Sequence, residues 1–152
     1  MLYLHLSLIL AAASAAAVPG DTITAGGDRP VVVHVPPSYD PAVPAPLLLL
    51  LHGYGPNADY IEPWLKFLPL AAERGILFAA PRGTKNFSGL YFWNATDSCC
   101  AYTDSPDDSG YLRGLIEELR GLLVVDPDRI YVVGHSNGGF MGHRLACDHP
   151  DL

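Results

Sequence analysis

A β-branched run, Ile130-Tyr131-Val132-Val133, leads straight into Gly134-His135-Ser136-Asn137-Gly138-Gly139, and a helix-like segment from Phe140 to Cys147 follows. Few folds accommodate that succession. It is the context of a nucleophile elbow, a sharp strand-to-helix turn that lifts a serine hydroxyl clear of a sheet. Gly134 and Gly138 are small because backbone and helix approach closely there and a Cβ would collide. Ser136 is therefore the candidate nucleophile, and the backbone N–H of Asn137, the next residue, falls where an oxyanion donor is expected.

The rest of the chain supplies elements to match. Thr22 to Thr24 reads as a weak strand, and Val31-Val32-Val33-His34-Val35 as a stronger one stopped by Pro36-Pro37. Leu47 to Leu51 is a continuous apolar run of strand length, the pattern of a parallel strand buried on both faces. Between Asn57 and Arg74 the pattern is helical, and Pro63 and Pro69 predict a short helix, an interruption and a second helix from about Pro69 that stops at Gly75. Ile76 to Ala80 is the next buried strand. The spacing of Leu112, Leu115, Ile116, Leu119, Leu122 and Leu123 predicts an amphipathic helix over Ser109 to Val125. Asp107 and Asp108 stand where carboxylates cap a helix, a role preferred here to catalysis. Asp126-Pro127-Asp128 reads as a turn before the strand that feeds the elbow. Strands alternating with helices predict an α/β domain with a mostly parallel sheet.

A loop from Thr84 to Asp107 carries Phe87, Tyr91, Phe92, Trp93 and Tyr102. Its length allows two readings for each ring, the mouth of a substrate site or the cover of a core edge.

With 49% hydrophobic residues in 152, the chain can bury the core of one domain. A net charge of −7 with scattered Lys and Arg argues against a nucleic-acid partner, since nothing could neutralise a row of phosphates. Residues 1–17 are almost wholly apolar and end in a small-residue run, which reads as a secretory leader cut near Ala17, leaving a domain over residues 18–152. The run is too short to serve as a stable membrane anchor. Export makes Cys99, Cys100 and Cys147 disulfide candidates: either of the adjacent pair could staple the aromatic loop to the nucleophile's helix, leaving one thiol over. Asn86-Phe87-Ser88 and Asn94-Ala95-Thr96 match the N-glycosylation acceptor. No metal-ligand spacing or phosphate-binding loop is present, so no cofactor or metal is predicted.

Acyl transfer needs a nucleophile, a base, a group that orients the base, and donors aimed at the developing oxyanion. The second donor in such a site comes from a loop after an earlier strand, and His52-Gly53-Tyr54-Gly55 follows the run Leu47 to Leu51 directly. The N–H of Tyr54 is the expected donor, with Gly53 next. Taken with Cys99-Cys100, Val125-Asp126-Pro127-Asp128-Arg129-Ile130-Tyr131 and Leu145-Ala146-Cys147, these motifs resemble the secreted polyhydroxybutyrate depolymerase and feruloyl esterase family of α/β-hydrolases from about Val31 onward. The resemblance implies an α/β-hydrolase fold, a serine esterase acting on polyester or on aromatic esters of plant polysaccharide, and a bridge from one of the paired cysteines to the helix cysteine.

In this fold the triad acid and histidine follow the serine. Leu152 is reached before either, so the expected chain is the N-terminal part of such a domain, truncated after the elbow helix and inactive as it stands. His143 and His149 lie on or past the nucleophile's helix, His135 is expected to turn into the sheet packing, and His52 is expected to be structural. Two other readings stand beside the esterase: a prolyl-oligopeptidase-type peptidase, whose elbow is similar, and a non-catalytic fragment or binding module.

Overall fold

The computed structural model describes residues 18–55, 57–100 and 105–152. The leader-like residues 1–17 and Tyr102 lie outside the described residues.

Among the described residues seven strands and four helices run in the order β1 (Thr22–Ala25), β2 (Val31–His34), β3 (Ala45–Leu51), α1 (Ala58–Leu65), α2 (Phe67–Arg74), β4 (Leu77–Ala79), β5 (Thr84–Lys85), β6 (Tyr91–Phe92), α3 (Asp108–Leu122), β7 (Val125–Gly134) and α4 (Asn137–Asp148). Five strands form one sheet in the order β1-β2-β4-β3-β7. β3 pairs parallel with β4 and β7, while β1-β2 and β2-β4 are antiparallel. Parallel neighbours require crossovers, and the helices provide them.

The run in β3 shows why the sequence folds this way. Successive side chains of a strand point to opposite faces. Leu47, Leu49 and Leu51 therefore join the core under α3 and α4, with Leu112, Leu115, Ile116, Leu119, Met141 and Leu145. Leu48 and Leu50 join a smaller core under α1 and α2, with Ile61, Ala71 and Phe78. A strand covered on both faces has no polar side, and each such leucine contributes about 1.5–3 kcal/mol by leaving water.

Four local readings change. Pro63 lies inside α1, and the break falls at Lys66, whose φ of 56° ends one helix and starts the next. Asp126-Pro127-Asp128 is not a separate turn before a short strand but lies within β7, where the register against β3 shifts between Ala45 and Leu47. Asp107 caps α3 by accepting from Gly110 N–H at 2.8 Å, whereas Asp108 is buried and bonds elsewhere. Leu122, at the end of α3, faces solvent, and Leu123 closes the core in its place.

Inside the aromatic loop, β5 and β6 form a short antiparallel hairpin. Both readings of its rings occur: Phe87 is fully exposed, while Phe92 and Trp93 are buried. Among the described residues β7 is a sheet edge, paired on one side only, and Tyr131 on it is 49% exposed.

Cys99 bonds to Cys100, and Cys147 is an exposed free thiol. The expected staple between loop and helix is thus not made. The adjacent pair satisfies itself, and Cys147 sits on the outer side of α4 in a groove it shares with Ala95, Thr96 and Asp97. Of the two glycosylation acceptors, Asn94 is buried, which leaves no room for a glycan on the folded chain.

Candidate active site

β7 ends at Gly134, His135 N–H donates to Leu51 O at 3.1 Å, and the chain reverses at Ser136. Ser136 has φ 52° and ψ −118°, a conformation that costs a non-glycine residue about 1–3 kcal/mol and persists only where packing forces it. Here the packing is explicit. A Cβ on Gly134 would stand 2.2 Å from Gly138 O, and one on Gly138 would stand 2.4 Å from Leu51 O. Both elbow glycines are therefore fixed by backbone approach, as the motif predicts. The serine they carry is exposed at the start of α4.

The first turn of α4 is partly closed on itself: Gly138 N–H donates to His135 O, and the N–H groups of Gly139 and Phe140 to Ser136 O. The N–H of Asn137 belongs to the same turn, as the first residue of α4. Its side chain has a further role that the motif alone did not reveal. Asn137 is fully buried, its Oδ1 accepts from Trp93 N–H at 2.6 Å, and its Nδ2 donates to Trp93 O at 2.9 Å. Trp93 in turn donates its indole N–H to His52 O at 3.0 Å. One buried tryptophan, through its backbone and its indole, thus ties the end of β3, the aromatic loop and the elbow helix together.

Tyr54 sits on the loop after β3, beside Gly53. A Cβ on Gly53 would lie 3.4 Å from Ser136 Cβ, so this loop runs against the nucleophile. The loop is held from its far side: Gly55 N–H donates to Tyr91 O at 2.8 Å, and Asn86 Nδ2 donates to the Tyr54 hydroxyl at 2.9 Å. The structure brings Ser136 and the loop bearing Tyr54 to one place and starts the elbow helix there with Asn137.

Among the described residues no imidazole or carboxylate hydrogen-bonds to Ser136. His52 is structural, as expected: it is fully buried, its Nδ1 lies 2.7 Å from Gly53 O, and its Nε2 accepts from Gly83 N–H at 2.9 Å. That pattern needs the neutral ring with the proton on Nδ1, and burial holds its pKa below the ordinary 6.5. The unfolded chain takes up this proton near pH 6.5 and the folded chain only at lower pH, so stability is lost on acidification. We expect the urea midpoint to fall once pH drops below about 6.5, at up to about 1.4 kcal/mol per pH unit. The fall should be steeper than in His52→Gln, and equal slopes would rule out a neutral buried His52.

His135 is not turned into the sheet. The strand has already ended, and the ring is exposed, meeting Trp64 of α1 edge to face at 5.0 Å. His143 is exposed on α4. His149 ends that helix with Nδ1 3.3 Å from Arg113. Among the described residues no group of three or more His, Cys, Asp or Glu could hold a metal ion, and no helix is long and apolar enough to cross a membrane.

No protein-family model matches the chain. It is 34% identical over 142 residues to the putative esterase NocK of Nocardia uniformis, covering 91% of this chain and 40% of that protein. It is 32% identical over 124 residues to feruloyl esterase B of Piromyces equi, covering 82% of this chain and 22% of that one. The chain thus spans less than half of either relative's length. Among solved structures, the poly(3-hydroxybutyrate) depolymerase LpqC of Bordetella parapertussis superposes with a TM-score of 0.57 at 22% identity, over 90% of this chain and 50% of that one. That likeness is one of fold: a mostly parallel sheet flanked by helices.

Proposed function

The chain belongs to the polyhydroxybutyrate depolymerase and feruloyl esterase family of α/β-hydrolases, and from that premise we propose that it carries the nucleophile and oxyanion half of an exported serine esterase. The observation that supports this reading best is Ser136 itself, exposed and forced to positive φ by the packing of Gly134 and Gly138.

In the proposed reaction the Ser136 hydroxyl adds to the ester carbonyl while its proton passes to a base. The oxyanion accepts hydrogen bonds from the N–H groups of Tyr54 and Asn137, the alcohol leaves with the proton, and water then releases the acid from the acyl-enzyme by the same steps in reverse. The substrates are feruloyl esters or polyesters, the classes in the relatives' names, with aromatic esters of plant polysaccharide as the form that the motif resemblance implies. The base and its orienting acid come from outside the described residues, because among those residues no imidazole or carboxylate hydrogen-bonds to Ser136. An unassisted serine at its ordinary pKa is a weak nucleophile. Export rests on the apolar leader.

The test uses the chain expressed with its leader. Its exported form should begin at Val18 and turn over p-nitrophenyl acetate and methyl ferulate slowly at most. Joined to the coding sequence that completes the domain, it should hydrolyse them, with a loss of at least about a thousandfold in Ser136→Ala. Fast turnover by the 152 residues alone, abolished in Ser136→Ala, would refute the incomplete site. Undiminished turnover in that variant of the completed protein would refute the nucleophile.

A further inference from the structure

The two proposed oxyanion donors stand on separate segments, Tyr54 on the loop after β3 and Asn137 at the start of α4, and a buried series of hydrogen bonds runs between those segments. Asn137 Oδ1 accepts from Trp93 N–H at 2.6 Å, and its Nδ2 donates to Trp93 O at 2.9 Å. The Trp93 indole N–H donates to His52 O at 3.0 Å. His52 in turn donates from Nδ1 to Gly53 O at 2.7 Å, because its Nε2 accepts from Gly83 N–H. That last bond aims a donor. Gly53 O and Tyr54 N–H belong to one planar trans peptide and point opposite ways, so fixing the carbonyl fixes the N–H. Asn137, Trp93 and His52 are all buried. A Cβ on Gly83 would stand 3.3 Å from Trp93 Cδ2, so the indole is confined from that side as well.

From these contacts we propose that Trp93 is a positioning residue for the acyl transfer, a strut that sets the spacing and direction of the Tyr54 and Asn137 N–H groups. The assignment rests on the esterase reading above and goes further, since that reading names only groups that meet the substrate. Trp93 is fully buried and presents no surface to one. A ring that merely filled the core could give its N–H to any acceptor. This one gives it to the residue before Gly53, while its backbone is gripped by the residue after the nucleophile. The tolerance is narrow, because oxyanion donors act over about 2.7–3.1 Å and a misplacement of about 1 Å costs about a hundredfold in rate.

Trp93→Phe removes the indole N–H and keeps an aromatic ring. In ¹H–¹⁵N measurements on the chain of 152 residues, the His52 ring N–H should exchange several-fold faster in this variant, and the Tyr54 amide order parameter should fall from about 0.85 toward about 0.6. Ile116→Val, a core change on α3, should leave both as in the parent. In the completed enzyme, Trp93→Phe should lower kcat for methyl ferulate by about tenfold to a hundredfold while KM stays within about threefold. Should Trp93→Phe not fold, Asn137→Ser cuts the strut at its other end and is held to the same readouts. Unchanged exchange and order at His52 and Tyr54, or an unchanged kcat, would overturn the strut. So would an effect confined to KM, which would place Trp93 against the substrate. The spectra are read without turnover, so a completed protein that hydrolyses neither ester would reject the esterase reading, while the Tyr54 order parameter would still decide the strut.

Discussion

Gly138→Ala will remove a large part of the stability of this domain, although alanine is otherwise the best residue for a helix. The added methyl would stand 2.4 Å from Leu51 O and 2.5 Å from His52 O, both backbone atoms at the end of a strand buried on its two faces. No flexible side chain can give way there. Relief requires β3 and α4 to separate, which would also loosen the Asn137 clamp on Trp93 and the contact between Gly53 and Ser136. Overpacking a core costs about 1–3 kcal/mol where side chains can adjust, and this site should lie at or above that range. Against a total of about 5–15 kcal/mol for a typical domain, the loss is severe. Gly114→Ala is the matched control, since a Cβ at that position of α3 meets nothing within 4 Å. It should stabilise the chain by about 0.5–1 kcal/mol. Urea unfolding of the three proteins decides the matter: Gly138→Ala within about 0.5 kcal/mol of the parent, the range of an ordinary surface change, would mean that the elbow is not packed in this way.

These two glycines also show which parts of the structure could be read from the sequence. Helix capacity and close approach are local facts with residue signatures, so the elbow, the buried run of β3 and the heptad-like face of α3 were all legible. The two-residue strands β5 and β6 carry no periodicity to read. The break at Lys66 was hidden for a related reason. Glycine is the usual mark of positive φ, and here a lysine adopts it, while the proline that pointed to a break sits inside α1. His135 illustrates a third limit: a residue flanking an elbow can face the sheet or the rim, and its neighbour Trp64 comes from an element some seventy positions earlier. The same holds for Asn137, whose identity suits an N–H donor but whose buried amide answers to Trp93, far away in sequence. Side-chain partners of that range have no local signature.

The second large effect concerns Asp108, where two adjacent carboxylates looked alike in sequence and are not. Asp107 is an N-cap, and its replacement by alanine should cost about 1 kcal/mol. The Asp108 side chain is fully buried, accepts from Arg29 at 2.6 Å, from Asn94 N–H at 2.7 Å and from the Thr84 hydroxyl at 3.2 Å. Arg29 belongs to the segment between β1 and β2, and Thr84 and Asn94 to the start and middle of the aromatic loop, so one carboxylate joins two parts of the chain to α3. Arg29 is further placed by stacking 3.6 Å above the Tyr111 ring, whose hydroxyl donates to Arg29 O. Removing the carboxylate would strand a half-buried guanidinium and a buried N–H at once, and breaking a buried pair in this way costs about 3–5 kcal/mol. The damage should also travel. Asn94 is held by Asp108 and its neighbour Trp93 by Asn137, so the dipeptide spans from α3 to the elbow helix. Asp108→Ala should therefore lower the urea midpoint several times more than Asp107→Ala, and should speed hydrogen exchange at the Trp93 indole. Adding Arg29→Ala should recover part of the loss, because it removes the stranded charge, and the departure from additivity measures the pair. If Asp107→Ala proves the more damaging of the two, or if the double variant is simply additive, Asp108 is not the joint between α3 and the loop that braces the nucleophile.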